Sequence, residues 1–195
     1  MAVLNTVKTV GESLYKEKGS KFLGFIFPCS TEEDSKKILI ELRKNHHLAV
    51  HVCFAYRFGS DKKHLRSSDD GEPSNSAGPP ILGQIQSFDL TNVLAAVVRY
   101  YGGTNLGVSG LINAYRTAAK KAIENTEIIE DEDFTKIEVR FNYEQLPQVM
   151  KLVKNYNVKI LEQLFDSTCV LKLSFPVSNQ VFLIQLTGIE GVLLT

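Results

Sequence analysis

Residues Thr91–Asn125 read TNVLAAVVRYYGGTNLGVSGLINAYRTAAKKAIEN, and the fold turns on them. The unbroken apolar run from Val93 to Val98 predicts a buried strand over Thr91–Tyr101. Gly102–Gly103 break it. From about Val108 to Asn125, Leu111, Tyr115, Ala118 and Ala122 recur at helical spacing, and Ile112, Ala119 and Ile123 widen the stripe. Arg116 and Lys120 fall on the opposite side. Between strand and helix lies RYYGGTNLGVSG, Arg99–Gly110. It is neither a Walker A loop nor a GxGxxG fingerprint. Two readings stay open for it. In one, the glycines let a ligand approach the backbone, the free N–H groups of the helix receive a phosphate or carboxylate, and Arg99 adds a charge-assisted contact. In the other, Arg99 pairs internally with Asp69, Asp70 or Glu72, and the glycines only permit a tight, closely packed turn.

Upstream, Lys21–Phe27 (KFLGFIF) reads as a strand. Ser30 or Thr31 then caps a helix whose first turn carries Glu32, Glu33 and Asp34 and whose apolar positions are Ile38, Leu39 and Leu42. Ala49–Phe58 (AVHVCFAYRF) is β-branched and aromatic, a further strand. Gly59–Pro80 reads as one long loop, uncommon in a compact domain unless functional or disordered. Pro79–Pro80 opens a short helix, ILGQIQSF. Downstream, the acidic run Glu124–Asp133 suits a linker or an edge strand and sets the domain boundary, giving domains 1–130 and 131–195. In the second, Phe134–Phe141, Val158–Phe165 and Thr168–Phe175 read as strands. Tyr143–Asn155 and Val177–Thr187 read as helices, and Val192–Thr195 offers a final strand. That β-α-β-β-α order predicts a ferredoxin-like sandwich, and the whole chain is α+β.

The 195 residues are 44% hydrophobic and 23% charged, which excludes disordered and collagen-like classes. Val93–Val98 is far shorter than the roughly 18 residues of a membrane span, so no membrane partner is expected. The N-terminus lacks a basic segment followed by an apolar one, and Cys29, Cys53 and Cys169 form no CxxC pair. Reduced thiols in a cytoplasmic protein are the expectation. The net charge of zero conceals a split: residues 1–125 carry 16 Lys+Arg against 12 Asp+Glu, and residues 126–195 carry 6 against 10. The mildly basic first part can meet an anion.

Ser67–Pro80 (SSDDGEPSNSAGPP) places Asp69, Asp70 and Glu72 within four residues. They suit a hard cation, with Ser74, Asn75 and Ser76 as hydrogen-bonding neighbours, or an Asx-rich turn. His46, His47 and His51 do not chelate zinc, because residues four apart on a strand lie about 13 Å apart. His51 and Cys53, two apart on one strand face, are about 6.6 Å apart between backbones, too far for a nucleophile–base pair. Tyr56, Tyr100, Tyr101 and Tyr115, near Arg57, Arg99 and Arg116, either stack bases or pack the core.

Four blocks carry a resemblance: Lys18–Phe22 (KGSKF); His51–Arg57 (HVCFAYR); Asp69–Pro73 (DDGEP) with Ala77–Gly78; and Arg99–Gly107 (RYYGGTNLG) with Ala114–Tyr115. In this order, across residues 18–123, they resemble the YigZ/IMPACT family. The resemblance implies a first domain like domain 2 of ribosomal protein S5 and a second like the last domain of elongation factor G. It implies translational control under stress for eukaryotic members, and no established catalytic set. What carries over is motif positions: His51, Tyr56, Arg57, Asp69, Asp70, Gly71, Glu72, Pro73, Arg99, Tyr101, Gly102, Gly103 and Gly107.

The resulting expectation is a cytoplasmic, translation-associated regulator that binds RNA or a ribosome or translation-factor partner, with no metal, cofactor or catalytic residue assigned. Two alternatives stand beside it. One is a hydrolase or phosphate-handling enzyme using a cleft between the Asp69–Pro73 loop and the Gly102–Gly107 turn. The other is a protein-interaction module without RNA contact. The three clustered carboxylates need a positive partner, and Arg99 with the following helix start is the expected one.

Overall fold

The computed structural model describes residues 3–132 and 134–194. Asp133, the last residue of the acidic run, and Thr195, the last of the expected final strand, lie outside them. The chain is α+β and divides into two compact units, Leu4–Asp131 and a smaller one that takes in Val3 and the residues from Glu132 onward.

The larger unit holds β1 (Val3–Val7), β2 (Gly11–Glu17), β3 (Ser20–Pro28), α1 (Glu32–Asn45), β4 (His51–Phe58), β5 (His64–Ser68), α2 (Gly78–Ser87), β6 (Val93–Tyr100), α3 (Gly107–Glu124) and β7 (Ile128–Glu132). Five strands form an antiparallel sheet in the order β2-β3-β6-β4-β5, and β1 pairs with β7. β6 is central, and every residue from Val93 to Arg99 is buried. Helices on both faces explain its unbroken apolar run, since neither face meets water. α2 and α3 pack on the face carrying Phe22, Ile26, Cys53, Ala55, Ala95 and Val97. α1 packs on the other, with Leu42 against Phe25, Val52, Ala96 and Val98. Thr31 caps α1 by accepting a bond from the Asp34 N–H, and Glu32, Glu33 and Asp34 complement its dipole.

The smaller unit runs β8 (Phe134–Phe141), a 3-10 turn at Tyr143–Gln145, α4 (Leu146–Asn155), β9 (Lys159–Phe165), β10 (Cys169–Pro176), α5 (Gln180–Thr187) and β11 (Leu193–Leu194). Its antiparallel sheet has the order β11-β8-β10-β9, so the chain order is β-α-β-β-α-β. Val139, Phe141, Leu171, Leu173 and Phe175 meet Val149, Val153, Phe182 and Leu186 in the core.

Three strands depart from the sequence reading. β1 and β2 alternate polar and apolar residues too weakly to stand out, and β5 is a polar edge strand (HLRSS) inside the segment expected as one loop. That segment also opens α2 at Gly78, with Pro79 and Pro80 in its first turn. Among the described residues no helix is long and apolar enough to cross a membrane.

Candidate functional site

The end of β6 delivers Arg99 between two neighbours fixed by strand register, Phe22 on β3 and His51 on β4. Arg99 is 6% exposed, with its guanidinium carbon 5.4 Å from the centres of both the Phe22 and the Tyr101 rings. Its Nη1 donates to Glu72 Oε1 at 2.6 Å, and the Tyr115 hydroxyl donates to the same oxygen at 2.6 Å. His51 Nε2 stands 3.9 Å from that oxygen. Arg99 Nε is buried without a hydrogen-bond partner among the described residues. Such a buried pair is costly to desolvate and costly to break, so each member depends on the others.

The loop that supplies Glu72 is built from its own carboxylates. Asp70 and Gly71 both have positive φ, 46° and 86°, and the Glu72 N–H donates to Asp69 O at 2.9 Å, which turns the chain back into the core. Asp69 Oδ1 accepts from the Ala77 and Gly78 N–H groups at 2.9 and 2.8 Å, and Oδ2 from Asn75 N–H at 2.9 Å. It thereby supplies the cap that Ala77 cannot give α2. Asp70 Oδ2 accepts from the Val52 N–H at 2.6 Å and from the Arg43 guanidinium. His51 Nδ1 meets Asp70 O at 2.7 Å, and the Cys53 thiol donates to Asp69 O at 3.0 Å. The three carboxylates therefore diverge to three sets of partners, and among the described residues no group of three or more His, Cys, Asp or Glu could hold a metal ion. Burial pushes the Cys53 thiol far up and does the same to the Tyr115 hydroxyl, which Cys53 and Glu72 raise further.

Of the two readings of Arg99, internal pairing is the one present: Glu72 already meets its charge. The DDGEP loop and Arg99 are brought together, and Pro73 follows Glu72 at the exposed surface. The Gly102–Gly107 turn has a different task. Gly102 lies against the β2–β3 hairpin so closely that a Cβ there would overlap the Gly19 carbonyl carbon and the Ser20 nitrogen. Its N–H donates to Ser20 Oγ at 3.1 Å. Gly103 and Gly107 have φ of 84° and 73° with open space around them, so they serve the path of the loop rather than packing.

α3 then begins at Gly107 with no side-chain cap from Leu106 and no carboxylate in its first turn. Gly107, Val108 and Ser109 are exposed. Lys18, exposed and with φ of 44°, forms the hairpin turn with Gly19 against Gly102. Tyr101 is 47% exposed and its hydroxyl lies 3.4 Å from Asn105 Oδ1.

Tyr56 and Arg57 lie elsewhere, about 17–20 Å along β4 from His51. Tyr56 is buried and stacks on Phe58 at 4.4 Å, and Tyr115 is fully buried, so the idea of a stacking platform built from them is corrected: their rings are core. Arg57 donates to Leu90 O at 3.2 Å and lies 3.6 Å from Asp89. His46 and His51 also part company, His46 bonding the Tyr100 hydroxyl at 2.8 Å. The sequence reading missed Arg43 as the cation of Asp70, Tyr115 as a donor to Glu72, and the Gly19–Gly102 contact. Only the third touches motifs the sequence singles out, since Gly19 lies in KGSKF and Gly102 in RYYGGTNLG.

The Impact N-terminal domain family matches residues 18–123, from the β2–β3 hairpin to the end of α3. An IMPACT family member of Haemophilus influenzae is 35% identical over 152 residues, 77% of this chain and 74% of that protein. The chain belongs to the IMPACT family. The family member YigZ of Escherichia coli is 30% identical over 164 residues, 83% of this chain and 80% of its own length. A crystal structure described as that of a hypothetical protein superposes with a TM-score of 0.77 at 27% identity, covering 100% of this chain and 97% of the other. Within this IMPACT chain, the matched span contains the whole Glu72–Arg99–Tyr115 cluster and the start of α3.

Proposed function

We propose that this IMPACT family chain is a cytoplasmic regulator of translation that engages RNA through phosphate contacts at the exposed start of α3. The observation that carries the reading is the helix start itself. An 18-residue helix opens with no cap and no carboxylate, at an exposed glycine loop beside Lys18. Its free N–H groups and dipole favour negative charge by roughly 0.3–1 kcal/mol. Arg116 extends the outward face of the same helix, and Tyr101 offers a half-exposed ring for a base. Family membership supports the translational part, through the control of translation that the resemblance implies for eukaryotic members. Arg99 and Glu72 act here as positioning residues that fix the strand end from which the loop departs.

The test is a titration of a short, labelled single-stranded RNA across several salt concentrations, with wild type, Lys18→Glu and Arg116→Glu. The log of the affinity should fall linearly with log salt, and each variant should weaken binding and flatten the slope by about 0.7 per lost phosphate contact. No binding by wild type at low salt, or variants that leave affinity and slope unchanged, overturns the reading.

A further inference from the structure

The two faces of the five-stranded sheet are covered unequally. α2 and α3 share one face, while α1 alone lies on the other. Strands about 4.8 Å apart make such a sheet roughly 20 Å wide, and packed helices sit about 8–10 Å apart, so a single helix leaves about half a face open. The open part lies over β2 and the β2 side of β3, beyond Phe25, which is buried against Leu42 of α1. There a groove of ≈ 580 Å³ runs between α1 and the sheet, lined by Leu23, Phe25, Phe27 and Ile38, with Glu12 and Glu41 beside them. Leu14, the cross-strand neighbour of Leu23, is 49% exposed.

Charge is ordered along this face. Register sets Lys16 opposite Lys21 at one end, with Lys18 in the intervening turn, then Leu14 opposite Leu23, then Glu12 opposite Phe25. Lys16 and Glu12, four residues apart, are separated by about 13 Å. Like charges directly opposite on paired strands are destabilising, so the Lys16–Lys21 pair costs the isolated fold. Among the described residues Lys16, Lys21, Glu12 and Glu41 make no ion pair. Lys37, which also lines the groove, is already paired with Glu33 at 2.9 Å.

We propose that a second copy of the chain docks on this face about a two-fold axis, with Leu14 and Leu23 at the centre and the lysine end of each copy on Glu12 and Glu41 of the other. A patch with an apolar middle, a basic end and an acidic end is its own complement when turned by a two-fold, which is the requirement for an isologous interface. RNA would suit only the lysine end and would set phosphates against Glu12, Glu41 and bare Leu14. Docking relieves the Lys16–Lys21 repulsion and covers the open half of the sheet.

The test is sedimentation equilibrium of the full chain from micromolar to near-millimolar concentration. Wild type should show a concentration-dependent dimer, and Leu14→Asp, at a half-exposed site, should weaken it about tenfold or more. Lys16→Glu/Lys21→Glu and Glu12→Lys/Glu41→Lys should each be monomeric alone, and an equimolar mixture of the two should dimerise again. Circular dichroism and urea midpoints confirm that all variants are folded. A wild type that stays monomeric, a dimer indifferent to Leu14→Asp, or a mixture that fails to recover overturns the proposal. Because the RNA reading is tested with Lys18 and Arg116 variants and a different readout, a monomer that binds RNA sinks only the dimer, and a dimer that ignores RNA sinks only the other.

Discussion

α1 and α3 lie on opposite faces of one sheet and begin in opposite ways. α1 neutralises its own start: Thr31 caps the helix, and Glu32, Glu33 and Asp34 occupy the first turn. α3 starts after Leu106 with no capping side chain, no acid, and glycines at Gly107 and Gly110. The first arrangement is what stability alone favours, because a cap contributes about 1 kcal/mol and a carboxylate in the first turn a few tenths more. The second forgoes both in the longer helix. The bare, exposed start of α3 leaves N–H groups that an anion can meet, the basis of the proposed RNA contact, whereas the start of α1 is already met by its own side chains.

The largest expected effect is on the support beneath α3. Glu72→Ala or Arg99→Ala leaves the other charge buried alone and should cost about 3–5 kcal/mol in urea unfolding. Glu72→Leu/Arg99→Met, which removes both charges, should recover most of that loss. A single variant that costs less than about 1 kcal/mol would show that the pair does not anchor the strand end. Gly102→Ala comes next. Its Cβ must push the Lys18–Gly19 turn away from the loop, at a cost of about 1–3 kcal/mol, and should weaken RNA binding through the displaced Lys18. If Gly102→Ala is neutral, the hairpin does not hold the α3 loop.

Thr31→Ala should cost about 0.5–2 kcal/mol, while Leu106→Ala, at the corresponding position of α3, removes no capping bond. The smallest effect is in acid. The Glu32 carboxyl is held below its ordinary value of 4.5, first by a hydrogen bond from Tyr56 and then by His64. A carboxyl with a lowered folded-state value adds stability above its unfolded value, and loses it as pH falls through the folded one. Below about pH 4.5, therefore, wild type should lose slightly more stability than Glu32→Gln. Equal losses would mean that the first turn of α1 is not electrostatically tuned.

The fold was legible where burial writes long apolar patterns. β6 is apolar on both faces and α3 carries a complete stripe, so both stood out in the sequence. β5 is a polar edge strand and β2 alternates around Leu14, a residue half in water, so neither carried a signal strong enough to separate it from loop. At the site, Asp69, Asp70, Glu72 and Arg99 were visible as charges needing partners, and internal pairing of Arg99 was one of two readings. What sequence spacing cannot show is long-range choice: Arg43 reaches Asp70 from the last turn of α1, and Tyr115, an ordinary member of an apolar stripe, turns its hydroxyl onto Glu72.

The contrast between the two helix starts comes down to one substitution, Ser109→Glu, which gives α3 the first-turn carboxylate that α1 already has. Ser109 is exposed, so the change leaves the packing alone. Urea midpoint and RNA affinity are to be measured on the same preparation, with Gln180→Glu, in the first turn of α5, carrying the same added charge as a control. If the start of α3 receives RNA phosphate, Ser109→Glu raises stability by about 0.3–1 kcal/mol and lowers RNA affinity about tenfold, while Gln180→Glu leaves affinity unchanged. RNA affinity that is unchanged in a Ser109→Glu protein of raised stability, or lowered equally by Gln180→Glu, would contradict the account.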